Sequence, residues 1–206
     1  MASFQSVCLR KISGHRAGER MMGRFFSNER VTREHLKKDI TDKVRDVCSN
    51  RHVLCLQDTT EINHHSHKNR VTGLGPVGNP KNIGFFLHPA LVIDGDDKTC
   101  LGLSPIHTHV RALEKKKRYQ GEKIETKESF RWIETAQSSK AVLEKAKMIT
   151  IVADRESDIY EEWVRIPDDK THLLIRACKD RCLKDGSKLF ETVSSIPVKT
   201  RTRLNS

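Results

Sequence analysis

The sequence predicts a mixed α/β fold, and three features predict it. Two short apolar runs, His52–Asp58 (HVLCLQD) and the β-branched Ile149–Asp154 (ITIVAD), each read as a strand that ends on an aspartate. Two further runs, Ile83–Asp94 and Thr99–Val110, are joined by Gly95, Asp96, Asp97 and Lys98, a hairpin turn signal. Helical spacing appears over Glu128–Lys147, where Phe130, Ile133 and Ala136 share a face and Leu143 lies further along, and again between Ile159 and Val164.

Taken from the N-terminus, Met1–Arg10 carries no clear pattern. His15–Phe26 is amphipathic, with Ala17, Met21, Met22 and Phe25 on one face and arginines on the other. Thr32 is placed as an N-cap, and Leu36, Ile40, Val44 and Val47 continue a second helix. Two short basic helices are thus expected before the first strand, either as a DNA-contacting arm or as a cap on the sheet. After Asp58, Glu61–Arg70 reads as a polar loop. Its histidines, His64, His65 and His67, lack a carboxylate or cysteine to complete a metal set. Val71–Asn82 is a Gly/Pro-rich loop without the Gly-Lys-Ser/Thr ending of a nucleotide-binding loop. Arg111–Lys127 is a charged stretch, read as a solvated loop or a phosphate-contacting strip. A last strand is expected over His172–Ala177, after which the pattern fades into basic and polar pieces.

Composition narrows the classes. The 206 residues carry a formal net charge of +11, which suits a polyanionic partner. Hydrophobic content is 36% and mean hydropathy −0.60, enough for a thin core, and no apolar run approaches a membrane span. No signal peptide is visible. The six cysteines are scattered; Cys55 and Cys100 fall inside strand-like runs and are expected to be buried thiols, and Cys178 and Cys182 are the only close pair. A reducing, intracellular compartment follows, with no membrane partner.

Asp58 and Asp154 are the candidate centre. Open α/β sheets place their chemistry at the C-terminal ends of strands. Paired carboxylates there can hold Mg²⁺ against phosphate oxygens, and two such ions about 3.5–4 Å apart can activate an attacking oxygen and stabilise a leaving one.

The predicted order is three strands, helix, strand, helix, strand: the order of a ribonuclease-H-like mixed sheet with flanking helices, short of its last helix, preceded by a helical segment. The corresponding domains are 1–50, a helical DNA-binding segment; 51–178, an incomplete catalytic core; and 179–206, the start of a β insertion.

Particular motifs resemble the DDE transposases of bacterial insertion sequences, in the branch that includes the transposon-five enzyme. They are QDTTEI around Asp58, TGLGPVG at Thr72–Gly78, FFLHPALVID at Phe85–Asp94, KESFRW at Lys127–Trp132 and VADRESDIYE at Val152–Glu161. Arg16–Thr32 (RAGERMMGRFFSNERVT) is similar to the family's N-terminal DNA-binding segment. The resemblance covers nearly the whole chain from Arg16 onward, and QDTT together with VADRESDIYE is its specific part.

The resemblance implies DNA transposition by metal-dependent cleavage and strand transfer, with Mg²⁺ or Mn²⁺ held by Asp58 and Asp154 as the first two acids of a triad. It implies that Arg155 and Arg176 approach transposon-end DNA. It implies double-stranded DNA as partner, both transposon ends and target, a homodimer in the full-length enzyme, and a bacterial cytoplasmic, nucleoid-associated location. The family's third acid, a Glu in a Tyr-x2-Arg-x3-Glu-x6-Lys signature, has no counterpart here. Glu156, Asp158 and Glu161 follow Asp154 directly and do not lie on a separate late helix. The expectation is a chain truncated at its C-terminus and inactive alone. The alternative is a non-catalytic DNA-binding remnant that inhibits a full-length relative.

Overall fold

A computed structural model describes residues 8–64, 71–79, 82–112 and 121–197. Three helices come first: α1 (Leu9–Ser13), α2 (Arg16–Phe26) and α3 (Arg33–Val47). Strands β1 (His52–Gln57), β2 (Thr60–Asn63), β3 (Gly75–Pro76), β4 (Ile83–Asp94) and β5 (Cys100–His109) follow, then α4 (Phe130–Val142), β6 (Met148–Ala153), α5 (Tyr160–Arg165), β7 (Thr171–Ile175) and α6 (Leu189–Ser195).

One mixed sheet organises them. β4 lies antiparallel between β1 and β5, β6 runs parallel to β1, and β7 parallel to β6. The spatial order β5-β4-β1-β6-β7 with these senses is compatible with a ribonuclease-H-like sheet. The short β2 and β3 pair with the N-terminal half of β4. A strand over 60–63 departs from the expected loop. The segment offers a single large aliphatic side chain, Ile62, and its pairing is dictated by the length of β4 rather than by its own pattern.

Burial alternates along β1 and β6 with the period of a strand. Val53, Cys55, Ala90, Val92, Ile149 and Ile151 point into one core with Val44 and Cys48 from the N-terminal helices, Ile133, Ala136 and Leu143 from the α4 region, and Ile166. Leu54, Leu56, Thr150 and Val152 on the alternate positions are half-buried. α3 therefore belongs to the same core as the strands.

Several side chains depart from expectation. Thr32 caps α3, its Oγ1 accepting from the His35 N–H at 3.1 Å, but Cys48 and not Val47 completes the inward row. Val47 is 45% exposed because the row advances by four residues at each step, from Leu36 through Ile40 and Val44. The apolar face of α2 stays open, with Met21, Phe25 and Phe26 exposed. Cys100 is exposed at the start of β5, beside an irregularity in the ladder between Val92 and Ile93. On α5, Glu162 is buried, as is Ile166 just after it, while Val164 is exposed. The described part of 179–206 contains an isolated bridge, Cys182 to Lys188, and then helix α6, where the start of a β insertion was expected. Residues 113–120 of the charged stretch 111–127, and His65 and His67, lie outside the described residues; His64 stacks on Phe85. Among the described residues, no helix is long and apolar enough to cross a membrane.

Candidate active site

Asp58 and Asp154 each follow a strand by one residue. Their strands, β1 and β6, are adjacent and parallel, paired Cys55 with Ile151 and Leu56 with Val152. Two steps further along that register, the two aspartates stand side by side at the end of the ladder. Both line one cleft of about 230 Å³, together with Thr59, Glu61, Phe86, His109, Arg111, Glu128, Arg131 and Glu156.

Local backbone holds each acid. Asp58 Oδ1 accepts the Thr59 N–H at 2.7 Å. Asp154 opens a 3₁₀ turn, Arg155–Ser157, and its Oδ1 accepts the Glu156 N–H at 2.8 Å as an N-cap. Both aspartates are exposed.

The break that frees Asp58 has a cause in the ladder. β1 pairs with β4 up to Gln57 against Ala90, and β2 resumes with Thr60 against Leu87 in the same register. Asp58 and Thr59 thus fall opposite Pro89 and His88. Pro89 has no N–H to give, and the β4–β5 ladder shifts between Pro89 and Ala90.

Behind the acids runs a chain of polar contacts. Arg131 Nε donates to Thr59 Oγ1 at 3.0 Å, and Arg131 Nη2 donates to Glu156 Oε2 at 2.8 Å. Thr59 Oγ1 lies 2.7 Å from His88 Nδ1. His88 is 1% exposed and stands edge-on to Trp132. Burial, then the charges of Arg131 and His107, bring its pKa down to about 3, so the ring is neutral. Arg111 grips Glu128 with Nε at 2.9 Å and Nη2 at 2.9 Å. Burial pushes the Glu128 carboxyl up, but the Arg111 contact and the charges of Arg111, His109 and Arg131 outweigh it, and the net pKa is lowered.

The cleft is anionic, with five carboxylates facing two guanidiniums, inside a chain of net charge +11. Among the described residues, no three His, Cys, Asp or Glu side chains are gathered to hold a metal ion.

The two arginines singled out from the sequence do not line this cleft. Arg155 is exposed on the turn after Asp154. Arg176 is exposed one residue beyond β7, not on the strand, with its N–H directed to Ala153 O at 3.4 Å. Glu61, His109, Arg111, Glu128, Arg131 and Glu156 were not singled out. Glu61, Glu128, Arg131 and Glu156 nevertheless lie within the motifs QDTTEI, KESFRW and VADRESDIYE, and Arg111 opens the charged stretch 111–127.

No protein-family model and no curated relative matches this sequence. Among solved structures, the chain is similar to the piggyBac transposase synaptic complex with hairpin DNA, at 11% identity and a TM-score of 0.38. The match covers 85% of this chain and spans 34% of that one.

Proposed function

We propose that this chain is the core region of a DDE-type transposase with a ribonuclease-H-like fold, and that its cleft receives the phosphodiester of transposon-end DNA. The observation that carries the proposal is the pairing of Asp58 and Asp154 at the ends of adjacent parallel strands in one cleft. The motifs QDTT and VADRESDIYE, which carry the family resemblance, supply these two acids.

The donor set suits Mg²⁺ or Mn²⁺. Such ions take one or two carboxylates, keep several waters and complete their shell from substrate phosphates. Charge supports the same reading, because a phosphate entering an acid-rich cleft is repelled unless cations intervene. When bound, the ion would supply Lewis-acid stabilisation and an activated water.

The protein's own groups orient and bind. The Thr59 and Glu156 amides fix the two carboxylates, and Arg131 ties the Asp58 loop to the Asp154 turn through Thr59 and Glu156. Arg155 and Arg176, exposed around the end of β6, are proposed to contact backbone phosphates, which position a duplex without reading its sequence. Strand transfer into target DNA and homodimer formation belong to the same proposal.

The test is Mn²⁺ binding followed by electron paramagnetic resonance. The wild-type chain should bind the ion, and Asp58→Asn and Asp154→Asn should each weaken binding. Unchanged binding in both variants would refute the reading.

The lack of a third gathered ligand among the described residues favours a second reading, binding to DNA without cutting it. Duplex that is retained but never nicked in Mn²⁺ supports this second reading; nicking abolished by Asp154→Asn refutes it.

A further inference from the structure

The polar chain behind the cleft fixes which way one hydroxyl points its hydrogen. Gln57 is 4% exposed, and one orientation of its amide satisfies both ends. The nitrogen then donates to His88 Nε2 and to Trp132 O, each at 3.2 Å, and the oxygen accepts from the Ala136 N–H at 3.3 Å. His88 Nε2 is therefore an acceptor. A neutral imidazole carries one hydrogen, which must sit on Nδ1. That hydrogen donates to Thr59 Oγ1 at 2.7 Å.

Thr59 Oγ1 also accepts from Arg131 Nε at 3.0 Å. A hydroxyl offers two lone pairs and one hydrogen. With both lone pairs taken, the Thr59 O–H remains, and among the described residues it has no acceptor in the protein. The residue lines the cleft beside Asp58.

We propose that Thr59 is a substrate-binding residue whose hydroxyl donates to an anionic phosphoryl oxygen of the bound DNA strand, with His88 and Gln57 as positioning residues that hold it in that sense. The inference rests on the reading that the cleft receives DNA phosphodiesters. An anionic phosphoryl oxygen fits because it accepts strongly, whereas Thr59's two hydroxyl partners, the His88 ring and the Arg131 guanidinium, are both donors to it. His88 suits its task because burial keeps it neutral, so it serves as a fixed donor to Thr59.

Two measurements test this. The first is the tautomer of His88 in the wild-type protein, read from ¹⁵N shifts of the ring. Hydrogen on Nδ1 is expected; hydrogen on Nε2 would overturn the inference, because Thr59 would then have to donate to the ring. The second is affinity for a random-sequence duplex of about 20 base pairs in Mg²⁺, by fluorescence anisotropy. Thr59→Ser, which keeps the hydroxyl, should bind within about threefold of wild type. Thr59→Val, which keeps the shape and loses the hydroxyl, should bind about tenfold more weakly, the loss expected for one hydrogen bond to a charged group. Equal binding by the Val and Ser variants overturns this inference alone. A wild-type chain that does not bind the duplex in Mg²⁺ overturns both it and the functional reading beneath it.

Discussion

Glu162 should make the protein's stability fall as pH rises through neutrality. Its side chain is 0% exposed; Oε2 accepts from the Ser157 hydroxyl at 2.6 Å, and Oε1 has no hydrogen-bond partner among the described residues. Burial drives its pKa up from 4.5 to about 7, and the Ser157 bond only partly opposes that. Between those two values the folded chain holds a proton that the unfolded chain has released. Stability is therefore full below about pH 4.5 and declines as pH rises through 7. At about 1.4 kcal/mol per tenfold change in proton affinity, the loss comes to about 3 kcal/mol. Glu162→Gln keeps the acceptor for Ser157 and cannot ionise, so it should erase the loss. Urea denaturation of both proteins at about pH 5 and about pH 8 measures this, and the histidines common to both cancel in the difference. Part of the loss has already occurred at pH 5, so the variant should gain on wild type by about 2.5 kcal/mol between the two conditions. Parallel pH dependence in the two proteins would refute the reasoning.

Three further outcomes follow from other sites. Asp94 receives Arg51 Nη1 at 2.6 Å and the Asp96 and Asp97 amides at 2.8 and 3.2 Å, which hold its pKa down at about 2. Asp94→Asn should lower the denaturation midpoint at neutral pH, with the deficit closing as pH falls from the ordinary carboxylate range toward 2; a deficit independent of pH contradicts this. A Cβ at Gly84 would meet Ile62 O at 2.0 Å, so Gly84→Ala should lever β2 off β4 and speed amide exchange at Asn63, whereas Gly23→Ala on α2 meets nothing and should stabilise by roughly 0.5–1 kcal/mol. Affinity for duplex DNA should fall steeply between two salt concentrations in a retardation assay, by a log–log slope of about −0.9 per phosphate contacted, and a flat salt response would exclude an electrostatic interface.

The long elements were legible because their apolar patterns are long enough to specify a face. β4 and β5 announce themselves by a hairpin turn, β1 and β6 by short apolar runs that each end on an aspartate, and α3 by Thr32 followed by apolar residues at every fourth position. β2 was not, since four residues with one aliphatic side chain carry no period. Glu162 and Val164 reverse the hydropathy rule, the acid buried and the aliphatic exposed. The cause lies just before the helix: the hydroxyl of Ser157, five residues earlier on the turn after Asp154, supplies one hydrogen bond to the buried carboxyl. No window over α5 alone contains that partner.

The candidate site divides along the same line. An aspartate at the end of a strand is a local feature, and two such strands in one sheet bring their ends together whenever they are parallel neighbours. The other cleft residues arrive from β2, β4, the end of β5 and the start of α4, and nothing in their spacing marks them as one group. What connects them is a fault in the sheet. Pro89 stands in a run that otherwise reads as a central strand, where a residue without an N–H marks an edge or a bulge. Here it marks the point at which β1 gives way to β2. The two residues left unpaired across from it and His88 are Asp58, released toward the cleft, and Thr59, whose hydroxyl binds His88 from β4 and Arg131 from α4. A continuous β1–β2 strand would place residue 58 in the middle of a ladder. The fault places it at a strand end, beside Asp154.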